Sequence, residues 1–259
     1  MVAILFEVAQ LKHLVRWSLW LGIALLVVGT AAAEAETDAV PVPCPAATEL
    51  SGKDIVARLM SRNMERAREL RSFQSTRQYQ LHYIGFPSSL GAEMRVKVTY
   101  TAPGTREFKI ESESGSKLIL NQVLHRLLES EKDSNSDEAG RNAMAVSTAN
   151  YSFSLLGCAS ADGRTLYVMR VEPLHDKRYL YRGTVWIDAA DFAVTRIEAE
   201  PAKNPSFWTK HAAIHHEYQK VDGFYLPVLN RTVSDVRLGG KAVLTIRYLD
   251  YQVTAADPQ

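Results

Sequence analysis

Apolar and polar residues alternate in many short segments of this chain, and that alternation constrains the fold more than any other feature. It marks residues 78–83, 93–100 and 108–111, and Pro103-Gly104 provides a turn between two of these segments. A period of two residues is that of a β-strand with one buried and one wet face, so the three segments predict an antiparallel meander. Their apolar residues, which we expect to share one face, are Tyr79, Leu81, Tyr83, Val96, Val98, Tyr100, Phe108 and Ile110.

Seven more segments carry strand signatures later in the chain. They span about 151–159, 165–172, 181–188, 192–200, 209–221, 224–237 and 241–253. Asp-Gly and Gly-Gly pairs between several of them are typical of hairpin turns. Such short connections favour one antiparallel sheet. The predicted fold class is α+β, with a single curved antiparallel sheet, an unclosed β-barrel, whose concave face is covered by helices.

Two segments instead repeat apolar residues at the spacing of an α-helix. The first follows Ser51, which with Asp54 resembles a capping box, and its apolar stripe begins at Ile55. The second spans about 117–131 and runs into a polar segment, 131–138, that predicts a mobile loop. This second helix is either a lid over the sheet or a plain packing helix. Its stripe consists of Leu120, Val123, Leu124 and Leu127.

The last predicted strand, 242–253, is apolar on both faces. Strict alternation places Ala242, Leu244, Ile246 and Tyr248 on one face and Val243, Leu249, Tyr251 and Val253 on the other. Such a strand is expected to be covered on both sides. Two interpretations follow, namely a sheet packed on helices, or a concave apolar cavity that holds an acyl chain or another apolar ligand. Two helices are few for so many strands, which favours a partly open cavity.

The N-terminus has the three zones of a secretory signal peptide. Lys12 and Arg16 precede an apolar run, 17–29, and small residues follow up to Ala33. The apolar run is shorter than the roughly 20 residues that span a bilayer, so residues 1–33 predict a cleaved signal and a periplasmic protein. An uncleaved N-terminal membrane anchor is the alternative. Residues 34–50, rich in alanine and proline, predict a flexible tether.

The chain has two cysteines, Cys44 and Cys158. Cys44 lies well past the expected cleavage site, whereas an acylated lipoprotein needs a cysteine directly after its signal peptide. In an oxidising compartment the two thiols either pair, which would tie the tether to the sheet, or remain independent.

Charge and motifs exclude several classes of function. A net charge of +1 gives no global field that would recruit nucleic acid. There is no Gly-x-Ser-x-Gly elbow, P-loop or dinucleotide-binding glycine run, so no enzyme and no cofactor is predicted. The best metal candidates are His211, His215, His216 and Glu217. Their surroundings alternate and predict a strand, on which four residues span about 13 Å, too far for one ion.

Three segments of the chain form a recognisable pattern in their order and spacing. One is Leu70-Arg71-Ser72-Phe73-Gln74-Ser75, where the first helix gives way to the first strand. Another is Val185-Trp186-Ile187-Asp188 followed by Phe192-Ala193-Val194-Thr195-Arg196-Ile197. The third is Lys220-Val221-Asp222-Gly223-Phe224-Tyr225-Leu226-Pro227. Together these segments span most of 51–254. In this order they resemble the bacterial outer-membrane lipoprotein-sorting proteins, the LolA-like periplasmic carriers, and their LolB-type and RseB-type relatives.

The resemblance implies a LolA-like domain over 51–254, with helices as a lid over an apolar cavity. It implies a carrier of lipoprotein acyl chains or lipid, with partner proteins in the inner and outer membranes and no cofactor. It also implies a basic residue that tethers the lid, for which Arg71 and Arg77 are candidates. The alternative within the same resemblance is an RseB-like sensor or scaffold that binds a protein partner.

Overall fold

The computed structural model describes residues 41–45, 49–86, 88–134, 138–177, 179–204, 209–237 and 239–256. The predicted signal peptide, 1–33, lies outside the described residues, and so do residues 34–40 of the tether. Within the described ranges no helix is both long enough and apolar enough to cross a membrane.

The described residues form one sheet of ten antiparallel strands in the order β3-β2-β1-β10-β9-β8-β7-β6-β5-β4. The first and last strands of this order do not pair with each other, so the sheet is an unclosed barrel, which confirms the predicted fold class. The strands are β1 (Leu70–Ile84), β2 (Leu90–Thr101), β3 (Thr105–Gly115), β4 (Tyr151–Ala161), β5 (Arg164–Pro173), β6 (Tyr181–Asp188), β7 (Val194–Pro201), β8 (Thr209–Val221), β9 (Phe224–Val236) and β10 (Lys241–Ala255).

The first helix, α1 (Gly52–Glu69), begins where the capping box predicts it. The Ser51 hydroxyl accepts a hydrogen bond from the Asp54 N–H at 3.2 Å and donates one to the Asp54 carboxylate at 2.6 Å. A serine in this position satisfies an N–H group that the helix itself leaves without a partner. The buried face of α1, which includes Ile55 and Leu59, packs on the inner face of β4–β8.

A second helical segment covers the other half of the same face. It consists of α2 (Lys117–Ile119), a π-helical turn (Leu120–Leu124) and α3 (His125–Ser134), which we call the cover helix. The predicted loop over 131–138 is wrong at both ends, because α3 extends to Ser134 and a short helix, α4 (Glu138–Met144), begins at Glu138. Residues 135–137 lie outside the described residues. Lys132 and Asp133 are exposed on α3, whereas Glu131 forms a buried ion pair.

Cross-strand pairing shows that α1 and the cover helix lie on one face of the sheet. Directly paired residues project to the same side, and one row of pairs runs from β5 under α1 to β2 under the cover helix. The row is Met169, Val185, Ile197, His216, Asn230, Ile246, Tyr79 and Met94. We refer to this side as the concave face.

Two separate apolar cores occupy the concave face. The β1–β3 core contains Tyr79, Leu81, Met94, Val96, Val98, Leu244, Ile246 and the apolar stripe of the cover helix. The β4–β8 core contains the buried side of α1 with Tyr151, Tyr167, Met169, Val185, Ile187 and Ile214. Each core therefore has its own helix.

The strand β10 is not apolar on both faces in the way that strict alternation predicts. Asp250 has a φ of 55°, and the pairing of β10 with β1 shifts register at this point. A bulge of this kind moves the residues beyond it to the opposite face. Tyr251 therefore packs against the β1–β3 core on the same side as Tyr248, while Leu249 is 37% exposed on the other side.

The N-terminal segment 41–45 lies along the free edge of β4. Val42 exchanges two backbone hydrogen bonds with Cys158, and a disulfide joins Cys44 to Cys158. Of the two states that the sequence left open for the cysteines, the paired one is found. Gly157 is required here, because a Cβ at this position would lie 2.6 Å from the Val42 carbonyl oxygen. The contact covers part of an otherwise open sheet edge.

Candidate functional site

The cover helix brings most of the predicted binding residues together. The eight that share the β1–β3 core are Tyr79, Leu81, Val96, Val98, Leu120, Val123, Leu124 and Leu127, and Phe108 packs against them. Three lie elsewhere. The Tyr83 hydroxyl lies 3.0 Å from the carbonyl oxygens of both Phe86 and Gly239, either of which can accept its one hydrogen, and the ring packs on Ala242. Tyr100 stacks on Phe73, and Ile110 is 43% exposed on the edge strand β3.

A buried ion pair fastens the cover helix to the sheet. Arg77 on β1 donates from Nη1 to both carboxylate oxygens of Glu131 on α3, at 2.9 and 2.8 Å. Both side chains are 4% exposed. Arg106 on β3 adds a bond to the same carboxylate at 3.0 Å. We call these three residues the latch.

Burial and charge act in opposite directions on the latch. Burial disfavours ionisation of Glu131, but Arg77 and Arg106 outweigh it and lower the pKa of its carboxyl to about 2. Burial also opposes the charge on Arg77, yet Glu131 holds the pKa of its guanidinium well above the ordinary value. The latch is therefore fully charged near neutral pH.

Of the two basic candidates, only Arg77 contacts the cover helix. Arg71 is exposed, and its carbonyl oxygen accepts a backbone hydrogen bond from Ala102. Sequence reasoning missed Glu131, which it placed where the helix passes into a loop. The available signal was spacing, since Glu131 follows Leu124 by seven and Leu127 by four residues and so continues their stripe.

The other half of the concave face has open cavities beside α1. One of about 400 Å³ is lined by Met60, Asn63, Met64, Ala145, Val146, Ser147, Val194, Ile197, Tyr218 and Tyr225. A second, also of about 400 Å³, is lined by Gly52, Lys53, Val56, Ala57, Met60, Thr148, Tyr151, Ser152 and Phe153. Met60 borders both. Their size lies in the range of small-molecule sites, and their walls are mainly apolar.

Between the two cores, the middle of the concave face is polar. Asn230, Thr232 and Ser234 point inward from β9, and His216 pairs with Asn230 from β8. All four are buried. Burial lowers the pKa of His216 to about 3, so its imidazole is neutral near pH 7. Sequence reasoning did not single out this group, although Asn230, Thr232 and Ser234 recur at the two-residue spacing of one strand face.

The remaining histidine candidates lie on the opposite face. His211 and His215 alternate with the inward residues Ala212, Ile214 and His216, which confirms the predicted strand. His215 contacts Glu217 at 2.6 Å and Glu198 at 3.5 Å. Within the described part of the chain, no group of three or more potential ligands has the geometry to hold a metal ion.

Sequence comparisons gave no assignment. No protein-family model matches the chain, and no curated protein is significantly similar to it.

Several solved structures are similar to this chain. A LolA-superfamily protein from Nitrosomonas europaea is 12% identical, with 81% of this chain and 96% of that chain covered and a TM-score of 0.37. A putative outer-membrane lipoprotein-sorting domain from Vibrio parahaemolyticus is 10% identical, with the same coverage and a TM-score of 0.38. The Pseudomonas aeruginosa MucA/MucB complex matches at 12% identity, with 78% and 100% covered and a TM-score of 0.27. These chains include the kinds of protein that the sequence resembles, but likeness at this level assigns neither cargo nor role.

Proposed function

We propose that this protein is a periplasmic carrier that binds lipoprotein acyl chains or lipid on the concave face, as part of outer-membrane lipoprotein sorting. It is a binding protein without a cofactor and not an enzyme. One observation carries the proposal. A separate helical segment with an apolar stripe covers an apolar sheet surface, and a single buried charge cluster holds it there.

The forces on the cover helix favour exchange with an apolar ligand. Opening exposes the stripe of the helix and the sheet beneath it, and an acyl chain would replace that lost burial at roughly 0.8 kcal/mol per methylene. The latch adds little net stability to the closed state, because desolvation of a buried ion pair offsets much of its attraction. It does fix one position of the helix.

The cavities beside α1 support the same proposal from the other half of the sheet. They are open and apolar in the described structure, so an acyl chain can begin to bind there before the cover helix moves. The helix α1 itself has no buried ion pair to release among the described residues. We assign it a fixed position and assign the motion to the cover helix.

The disulfide supports the proposed location. A bond between Cys44 and Cys158 persists in oxidising compartments such as the periplasm and is rare in the cytosol. Export also agrees with the signal peptide predicted over residues 1–33.

Binding of an apolar fluorescent probe tests the proposal. The purified protein should bind N-phenyl-1-naphthylamine saturably, and palmitoyl ligands should displace it. Leu124→Asp, which places a charge in the stripe of the cover helix, should weaken binding, whereas Asn121→Asp, at an exposed position of the same helix, should not. Absence of saturable binding in the wild-type protein would contradict the proposal.

The sensor or scaffold role has less support. An outer surface that binds a protein partner should present a contiguous apolar patch. Among the described residues, Ile84 at 61% and Phe86 at 76% are close in sequence, whereas the other exposed apolar side chains, such as Leu174 at 50% and Leu249 at 37%, lie on separate segments.

A further inference from the structure

A buried polar strip separates the two apolar cores. It consists of His216 on β8 with Asn230, Thr232 and Ser234 on β9, and their exposures are 6%, 1%, 3% and 2%. Four polar side chains buried between apolar cores are costly unless they find hydrogen-bond partners.

One member of the polar strip has an atom without a partner. Asn230 donates from Nδ2 to the Tyr248 hydroxyl at 2.7 Å, while its Oδ1 is buried and accepts no hydrogen bond among the described residues. Turning the amide round would let the oxygen accept from Tyr248 and would leave the nitrogen unpartnered instead. Either orientation leaves one buried polar atom of Asn230 without a hydrogen-bond partner among the described residues.

The polar strip carries no free charge. The imidazole of His216 is neutral near pH 7, because burial lowers its pKa to about 3. The nearest buried guanidinium, that of Arg77, is already bound to Glu131. A ligand carboxylate or phosphate would therefore lose its hydration without gaining a cation. An uncharged group that donates and accepts hydrogen bonds fits these side chains better.

Apolar surface adjoins the polar strip on both sides. Ile197 pairs directly with His216, and Tyr218 follows two residues after it on β8. Both line the cavity beside α1 that Asn63 and Met64 also border. On the other side, Leu244 pairs with Thr232 and Ile246 with Asn230, and both belong to the β1–β3 core. Apolar side chains therefore lie within one strand spacing, about 5 Å, of the polar strip on both sides.

We propose that the polar strip binds the uncharged ester or amide linkage of an acylated ligand, with the acyl chain in the adjoining apolar space. This inference rests on the proposed carrier function and narrows its ligand class. It favours acyl esters and amides over free fatty acids, and it makes Asn230 and Thr232 specificity-determining residues.

Competition between matched ligands tests the inference. Palmitamide and palmitate carry the same chain and differ in charge at the head, and each is titrated against bound N-phenyl-1-naphthylamine. We expect palmitamide to bind at least about tenfold more tightly than palmitate. Equal affinities for the two ligands would overturn the inference while leaving the carrier function intact. Failure of the wild-type protein to bind the naphthylamine would instead contradict the carrier function itself.

Substitutions in the polar strip separate its specific effect from the general preference of an apolar site for uncharged ligands. Asn230→Leu should reduce the preference for palmitamide over palmitate to under about threefold. Thr232→Val, on the concave face, should also reduce it, whereas Thr245→Val, on the opposite face of β10, should not. The variants Thr232→Val and Thr245→Val keep the test decisive if the Asn230→Leu protein does not fold. Full retention of the preference in Thr232→Val would overturn the inference.

Discussion

The two halves of the concave face are built from similar parts but held together differently. In the β4–β8 half, α1 packs through apolar contacts, and a disulfide fixes the preceding segment to β4. In the β1–β3 half, the cover helix adds a buried ion pair to its apolar contacts, and the disulfide does not reach it. Open cavities lie beside α1.

This difference is the basis for our proposal that the cover helix moves and α1 does not. A covalent link restrains α1 at its N-terminal side, whereas the cover helix is an insertion between β3 and β4 with chain on both sides. A buried ion pair holds one geometry well and tolerates displacement poorly, so it favours two discrete states over gradual loosening. The predictions below test this contrast.

Loss of the disulfide should have the largest effect on the free energy of unfolding. The destabilisation should be concentrated in the β4–β8 half. The two cysteines are 114 residues apart, and closing a loop of that length contributes about 4 to 5 kcal/mol by chain entropy. The double variant Cys44→Ala/Cys158→Ala should lose that free energy of unfolding in urea titration. Faster hydrogen exchange should be concentrated in β4 and α1. A loss under about 1 kcal/mol would contradict this role of the disulfide.

Removal of one latch residue should have the next largest effect on stability, and this effect should fall on the β1–β3 half. Glu131→Leu leaves Arg77 buried without its partner and should cost about 3 to 5 kcal/mol in free energy of unfolding. The double variant Arg77→Leu/Glu131→Leu should recover most of this loss. Glu129→Gln, at an exposed position of the same helix, should change the free energy by under about 0.5 kcal/mol. A Glu131→Leu effect as small as that of Glu129→Gln would exclude the latch.

As the pH falls, the free energy of unfolding should decrease first through His216 in the polar strip and then, at lower pH, through Glu131 in the latch. His216 has a pKa of about 3 in the folded protein and 6.5 as an ordinary histidine, so between these values the unfolded state binds a proton that the folded state does not. Stability is therefore complete above pH 6.5 and falls by about 1.4 kcal/mol per pH unit below about pH 6.

The pH dependence is measured by urea titration at several pH values. His216→Leu should flatten the slope between pH 6 and 5, and His211→Gln, at an exposed position, should leave it in place. Glu131 affects stability in a lower pH range. Its pKa is lowered from 4.5 to about 2, so its contribution is present above pH 4.5 and is lost as the pH falls through 2. An unchanged slope in His216→Leu would contradict the assignment.

The smallest effect is expected for the exposed ion pair near α1. Asp191 contacts Lys220 at 2.7 Å, with side-chain exposures of 34% and 49%. Water screens such pairs, so Asp191→Asn should cost no more than about 1 kcal/mol, as measured by urea unfolding. A cost comparable to that of Glu131→Leu would remove the contrast between the two halves.

Local patterns predicted most of the fold. Each of the ten strands has alternation or turn residues within its own segment, and the Ser51 cap marks the start of α1. Alternation along β1 and β2 also assigned Tyr79, Leu81, Val96 and Val98 to one buried face. These features depend on residues that are close in the sequence, which is why a single sequence was enough to predict them.

Features that depend on distant residues could not be predicted. The bulge at Asp250 reverses the faces of β10 without a local signal, because its position is set by pairing with β1. Glu131 lies 54 residues from Arg77, and only the folded structure brings them together. The polar strip likewise arises from the register of β8 with β9. Its residues are ordinary strand residues until that register places them in one groove.

Distances between paired spin labels test most directly whether the cover helix moves when an acyl ligand binds. One pair joins Glu129 on the cover helix to Lys97 on β2, and the other joins Ser61 on α1 to Arg170 on β5, all at exposed positions. On addition of palmitamide, the Glu129–Lys97 distance distribution should gain a longer component, while the Ser61–Arg170 distribution should not change. Saturable palmitamide binding with both distributions unchanged would contradict a moving cover helix.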